Sequence, residues 1–357
     1  RLQLHTMSDL TRKWIFLAVG YFVSVCYGIL CIFKLTISFI LNPSDRFWIV
    51  KDRLPPAILS DPALGNHAYI QLKNGPRLHY VEKGDKAKPL MLLLHGFPEF
   101  WYSWRHQITE FSSDYWVVAV DMRGYGESDK PAGKHNYTLD LLFGDIVNLI
   151  SALGREKCTL VAHDWGGIIA WYLVLLHPHL FHCYVIMNSA HPIAYRSVLN
   201  RSMVQFWKSW YVFFFQLPYL PELTLLKDDL AIFERAMKTD KSAHKFTLED
   251  LEAFKYTFGR PGAMKHPVDY YRANFMLPSQ KRLEDLGRSP DSPPGLVLYG
   301  ELDVYLTPEV QHMSAASVAN ARLVCVRGAN HFVQQDDPET VNRELRKFFR
   351  QVQLKEQ

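Results

Sequence analysis

With 357 residues, 48% of them hydrophobic, the chain is long enough for one large domain with an insertion and an appendage, and apolar enough for a substantial core. Its 40 Lys and Arg against 36 Asp and Glu leave a net charge of +4, and with no long basic run this excludes nucleic acid as a partner. The five cysteines, Cys26, Cys31, Cys158, Cys183 and Cys325, are odd in number and match no metal or disulfide spacing, so free, mostly buried thiols in a reducing compartment are expected.

From Trp14 to Phe33 no residue is charged, and after Lys34 the apolar character resumes as far as Leu41. The segment is long enough to span a bilayer and lacks the short core and cleavage site of a signal peptide, so residues 1–42 are expected to be an uncleaved, single-pass membrane anchor. Arg12 and Lys13 precede it while Lys34, Arg46, Lys51 and Arg53 follow, a balance that puts the rest of the chain in the cytosol. The sequons Asn136-Tyr137-Thr138 and Asn200-Arg201-Ser202 would be usable only in a lumen and are discounted as chance matches.

Residues 43–65 carry four prolines without periodicity and read as a linker. His67–Leu72 and Arg77–Val81 flank Asn74-Gly75-Pro76, a hairpin signal, and Leu90–Leu94 and Trp116–Val120 are apolar runs suited to a sheet interior. A helix over Leu139–Leu153 is followed by strands at Lys157–Val161, Cys183–Met187, Leu296–Tyr299 and Leu323–Val326, with a closing amphipathic helix over Asp337–Leu354. This alternation predicts an α/β fold with a mostly parallel sheet, in two core parts, 66–192 and 287–357. Residues 193–286 lack strand patterns and hold Phe206, Trp207, Trp210, Tyr211, Phe213, Phe214 and Phe215, as expected of an inserted helical lid.

Within this order, Ala162-His163-Asp164-Trp165-Gly166-Gly167 has the outline of a nucleophile elbow, a strained strand-to-helix turn flanked by small residues, with aspartate where hydrolases carry serine. Taken alone, an Asp before a helix is more often an N-cap. The rest of a catalytic set nevertheless follows in chain order. Leu94-His95-Gly96-Phe97-Pro98 ends an apolar strand where this fold places an oxyanion donor, so the amides of Phe97 and Trp165 are the expected hole. Asp303, with Glu301 as its rival, lies just beyond a buried strand, and His331 follows the last strand in the small-residue loop Gly328-Ala329-Asn330. His95 and His163 read as neighbours that shape the site.

His95-Gly96-Phe97-Pro98 and His163-Asp164-Trp165-Gly166-Gly167 give the chain, from roughly Leu59 to Lys347, a resemblance to membrane-anchored, microsomal-type epoxide hydrolases of the α/β-hydrolase fold. The resemblance implies an ester on Asp164, hydrolysed by water that His331 and Asp303 activate, and an endoplasmic reticulum location. It further implies two lid tyrosines that protonate the epoxide oxygen, Tyr211 and Tyr271, with adjacent Tyr270 an alternative to the second. His95, Pro98, Trp165 and Phe332 are the implied substrate contacts, and neither a cofactor nor a metal is implied. Phe332 and Phe213 depart from the family pattern, where Trp and Tyr are common, without removing a required group. The aromatic lid and nearby membrane point to a lipophilic epoxide, such as a fatty-acid derivative. A haloalkane dehalogenase with the same nucleophile and an inactive binding protein are the rival readings.

Overall fold

The computed structural model describes residues 9–41, 43, 48–242, 245–275 and 292–356. Helix α1 (Asp9–Leu41) runs unbroken through Lys34, and its stretch Leu17–Leu41 is long and apolar enough to cross a membrane. The expected hairpin forms from β1 (Asn66–Gln71) and β2 (Arg77–Lys83), and β3 (Leu90–Leu94) and β4 (Trp116–Val120) are buried at every position. Between the last two lies α2 (Arg105–Phe111), a short helix without a strong sequence signal. Then come α3 (Leu139–Ala152), β5 (Cys158–His163), α4 (Asp164–Leu176) and β6 (Phe181–Met187).

From β6 to the next strand the described elements are all helices joined by loops: α5 (Pro192–Leu199), α6 (Met203–Lys208), α7 (Trp210–Phe214), α8 (Leu220–Met237), α9 (Leu248–Gly259) and α10 (Lys265–Ala273). The expected end of this insertion near Leu286 lies outside the described residues. Helix α8 breaks at 227–230, and Arg53 of the linker grips that break, pairing with both carboxylate oxygens of Asp229. The chain closes with β7 (Gly295–Gly300), α11 (Pro308–Ala316), β8 (Ala321–Val326), the short α12 (Val333–Asp336) and α13 (Pro338–Glu356).

The sheet order is β1-β2-β4-β3-β5-β6-β7-β8, antiparallel at β1 and β2 and parallel from β3 and β4 onward. Parallel strands point the same way, so the loops after β3, β5, β6, β7 and β8 gather along one edge, where such sheets hold their sites. Among the described residues no two cysteines form a disulfide, but the expected burial holds only for Cys158 and Cys183. Cys26 faces outward from α1, Cys31 is half-buried, and Cys325 lies on the exposed side of the edge strand β8.

Candidate active site

The turn from β5 into α4 makes Asp164 the first helical residue rather than the cap, with φ of 47°. That left-handed backbone is strained for a residue with a side chain, although Asp tolerates it better than most. Two glycines make room for the turn. A Cβ on Gly96 would lie 2.4 Å from the Asp164 Cβ, and one on Gly166 would lie 2.3 Å from the Leu94 carbonyl oxygen. Gly96→Ala is therefore expected to displace the Asp164 carboxylate and cut turnover by about 10²-fold, the usual cost of a small misplacement of a reacting group. Steady-state rates alongside a melting curve would separate that loss from unfolding.

The two oxygens of Asp164 have different surroundings. Oδ1 accepts a hydrogen bond from the Phe97 amide at 2.8 Å, while Oδ2 faces His331 Nε2 at 3.6 Å, beyond hydrogen-bond reach. The Trp165 amide belongs to the first turn of α4, whose leading N–H groups have no intrahelical carbonyl to bind. The hydroxyl of Ser189 donates to the Asp164 carbonyl oxygen at 2.8 Å, pinning the turn from behind.

On its other side, His331 Nδ1 sits 3.0 Å from Asp303 Oδ2. Asp303 also accepts from Asn188 Nδ2 at 2.7 Å and from the amides of Tyr305 and Leu306 at 2.7 and 3.0 Å. Burial opposes its charge, but His331 and these donors hold its carboxyl below the ordinary range. With only acceptor oxygens at Asp303, His331 Nδ1 must carry a proton. Burial also disfavours a charged His331, yet Asp303 and Asp164 outweigh it and push its pKa up to about 10. Glu301, the rival to Asp303, instead accepts from the Gly328 amide in an exposed loop.

The expected lid tyrosines meet over this triad. The rings of Tyr211 and Tyr271 are edge-to-face at 5.7 Å, and Tyr271 also packs on Phe97 at 5.4 Å, Trp165 at 5.0 Å and Phe215 at 4.9 Å. Tyr305, which the sequence reading missed, bridges Tyr211 at 5.3 Å and His331 at 4.7 Å. Burial, reinforced by the Asp164 charge, raises the pKa of both lid tyrosines, so their hydroxyls keep their protons. Tyr270 points elsewhere, its hydroxyl donating to the Arg123 carbonyl at 2.6 Å.

The remaining expected contacts divide between the chamber and its support. Trp165 packs on Tyr271 at 5.0 Å, and Phe332 lies 5.1 Å from the His331 ring. Pro98 is buried after a cis peptide bond with Phe97. His95 has both ring nitrogens engaged by main chain, Nδ1 donating to the Gly96 carbonyl and Nε2 accepting from the Met122 amide, so it braces the loop and has no nitrogen left for a substrate. His163 Nδ1 meets Glu99 Oε2 at 2.6 Å and Nε2 meets the His331 carbonyl at 2.9 Å. His163 thus ties the buried Glu99 carboxylate to the main chain of the His331 loop. Burial opposes ionised Glu99, but His163 and the Gly96 amide keep its pKa at about 2. Glu99, Asn188, Ser189 and Tyr305 escaped the sequence reading; for Glu99 the only cue was its place directly after His95-Gly96-Phe97-Pro98.

A family model described as the alpha/beta hydrolase fold matches residues 89–338. The chain is 40% identical to human epoxide hydrolase 4 over 338 residues, 91% of each chain. It is 41% identical to epoxide hydrolase 1 of Caenorhabditis elegans over 290 residues, 80% of this chain and 70% of that one. Among solved structures, a Bacillus megaterium epoxide hydrolase in complex with an inhibitor is 31% identical with a TM-score of 0.70, covering 79% of this chain and 100% of its own.

Proposed function

This chain belongs to the epoxide hydrolases of the α/β-hydrolase fold, and from that premise we propose that Asp164 opens the ring of a lipophilic epoxide by forming an ester. The observation that carries this reading is the division of labour within one carboxylate. Oδ1 is already bound by the Phe97 amide, which leaves Oδ2, turned toward His331, free to attack. As Oδ2 bonds to an epoxide carbon, the carbon–oxygen bond of the ring breaks and the departing oxygen takes a proton from Tyr211 or Tyr271. The product is a hydroxyalkyl ester and a tyrosinate.

Ester formation removes the negative charge of Asp164, one of the two charges that keep His331 protonated. His331 then passes its proton to the tyrosinate and becomes a neutral base, while Asp303 retains the hydrogen bond to Nδ1. A water that gives its proton to His331 attacks the ester carbonyl carbon, and negative charge gathers on Oδ1, where the Phe97 and Trp165 amides stabilise it. Collapse expels the bond to Oδ2. The alkoxide takes a proton from His331, the new carboxylic acid returns its proton to His331, the vicinal diol leaves, and the carboxylate is restored. Aspartate suits this task because its ester has a carbonyl that water can attack, whereas a serine ether would be a dead end. None of these steps calls on a cofactor or a metal.

The aromatic walls formed by Phe97, Trp165, Phe215 and the two tyrosines favour a lipophilic substrate, such as a fatty-acid epoxide. They also disfavour a haloalkane dehalogenase, since Phe97 has no side-chain donor to offer a halide. The resemblance to microsomal relatives supports a location on the endoplasmic reticulum, and the basic residues Arg46, Lys51 and Arg53 after α1 favour its anionic cytosolic face, with the catalytic part in the cytosol.

The direct experiment incubates the purified protein with aryl and fatty-acid epoxides and measures diol; no diol from any of them would overturn the proposal. Tyr211→Phe and Tyr271→Phe are each expected to lower kcat by about 10²-fold, within the range for a positioned acid. Tyr270→Phe is expected instead to cost about 1 kcal/mol of stability through its lost hydrogen bond, with kcat little altered.

A further inference from the structure

Helix α1 is docked against the lid, and the docking involves its middle. Positions Gly20, Ser24, Gly28 and Cys31 recur at helical spacing and form one stripe. A Cβ on Gly20 would lie 2.6 Å from the Phe275 ring, and one on Gly28 would lie 2.6 Å from Leu217 Cδ1, so the two surfaces approach as closely as glycine allows. Tyr21 packs on Phe275 at 6.1 Å and Tyr27 on Trp210 at 6.2 Å, while Cys31 Sγ lies 3.6 Å from the Thr224 hydroxyl. Trp210 neighbours Tyr211 on the five-residue helix α7, so α7 stands between α1 and the candidate catalytic chamber.

This contact conflicts with an isolated membrane-crossing helix. Gly20 to Cys31 spans about 16 Å of helix, roughly half the thickness of a bilayer's hydrocarbon core. A helix that crossed with this stretch at mid-membrane would carry the lid down with it. The C-terminal part of α1 meanwhile leaves Ile32, Phe33, Ile37, Phe39, Ile40 and Leu41 exposed. The lid surface beside the docked helix is itself apolar: Val204 is 60% and Trp207 59% exposed, and Met203, Trp210, Tyr219 and Leu223 are also exposed. Monotopic enzymes present such contiguous patches to lipid. The patch adjoins the catalytic loop, since Gln205 of α6 donates to the Tyr305 carbonyl at 2.9 Å and accepts from the Thr307 amide at 2.9 Å.

We propose that α1 and the α6–α8 rim of the lid form one face seated together in a single leaflet of a phospholipid bilayer, and that substrate reaches the chamber from the lipid. Continuity of the exposed rim with a helix of membrane-compatible length and apolarity identifies lipid as the occupant. The seating stands independently of whether Asp164 is the nucleophile, because its test reads depth and not turnover, whereas loading from the lipid rests on the epoxide reading above and is tested by turnover.

The test uses the full chain with Cys26, Cys31 and Cys325 replaced by serine, reconstituted in phosphatidylcholine vesicles. A fluorophore is attached at Val204→Cys, Trp207→Cys, Phe22→Cys or Leu354→Cys, the last on the distant helix α13. Lipids carrying nitroxide quenchers near the headgroup or near the acyl terminus then report depth. Labels at 204, 207 and 22 are expected to lose most of their emission to the shallow quencher, while the label at 354 keeps its emission. A label at 207 as insensitive as that at 354, with position 22 quenched by the deep lipid, would mean that α1 alone enters the membrane and would overturn the proposal. So would protection of 207 by a second copy of the chain. As a functional readout, Val204→Glu combined with Trp207→Glu is expected to raise the apparent KM for a vesicle-dissolved epoxide severalfold with kcat unchanged. An unaltered KM would overturn loading from the lipid.

Discussion

His331→Gln is expected to turn the enzyme from a catalyst into a stoichiometric reagent. Asp164 keeps its Oδ2, its Phe97 hydrogen bond and the overhanging tyrosines, so the epoxide is still opened and one equivalent is consumed. Without the imidazole the base that takes the proton of the attacking water is lost, and steady turnover falls by about 10³-fold or more, as expected for a lost general base. The protein should gain the mass of the epoxide, localised to the peptide that contains Asp164. Ordinary turnover in this variant would exclude His331 as the base. Stability supplies a control with a definite sign. The folded-state pKa of His331 is raised from 6.5 to about 10, so the stability its charge contributes is fully present below about pH 6.5 and is lost as pH rises through about 10. The melting temperature of the variant should lack that alkaline decline.

Asp164→Ala is expected to remove both halves of the reaction, lowering turnover toward the uncatalysed rate by about 10⁶-fold, the scale seen when a covalent nucleophile is deleted. Unlike the histidine variant, it should never gain the mass of the epoxide. This contrast separates nucleophile from base better than either rate alone. Alanine is also less at ease than aspartate at φ of 47°, so a modest fall in melting temperature should accompany the loss. Turnover retained in folded Asp164→Ala would mean that another group attacks the ring.

The strands whose limits were read most closely from the sequence are those whose burial is complete. Leu90–Leu94 and Trp116–Val120 are apolar at every position because both faces of the sheet are covered there, so their limits match the observed strands. Helix α2 is seven residues long and the break in α8 lies in a polar stretch, and neither leaves a hydrophobic period to detect. Asp164, Asp303 and His331 were readable because each follows a strand. Their supports were not, because they depend on which strands lie side by side. Asn188 reaches Asp303 only because β6 pairs with β7, with its own amide donating to the Leu298 carbonyl at 2.9 Å. Successive residues on a helix point about 100° apart, so of Tyr270 and Tyr271 only one can face the chamber, and the Arg123 carbonyl takes the other. The docking of α1 on the lid was likewise hidden, since a stripe of Gly20, Ser24 and Gly28 does not say what it will meet.

The most direct measurement of the ester route is a single turnover in heavy-oxygen water with enzyme in excess over epoxide. If Oδ2 attacks carbon and water then attacks the ester carbonyl, the new oxygen of the diol comes from Asp164. The first diol released should therefore be unlabelled, while the Asp164 peptide gains one heavy oxygen by mass spectrometry. A diol labelled in that first turnover, with Asp164 still light, would mean that water attacks the epoxide directly and that no ester forms.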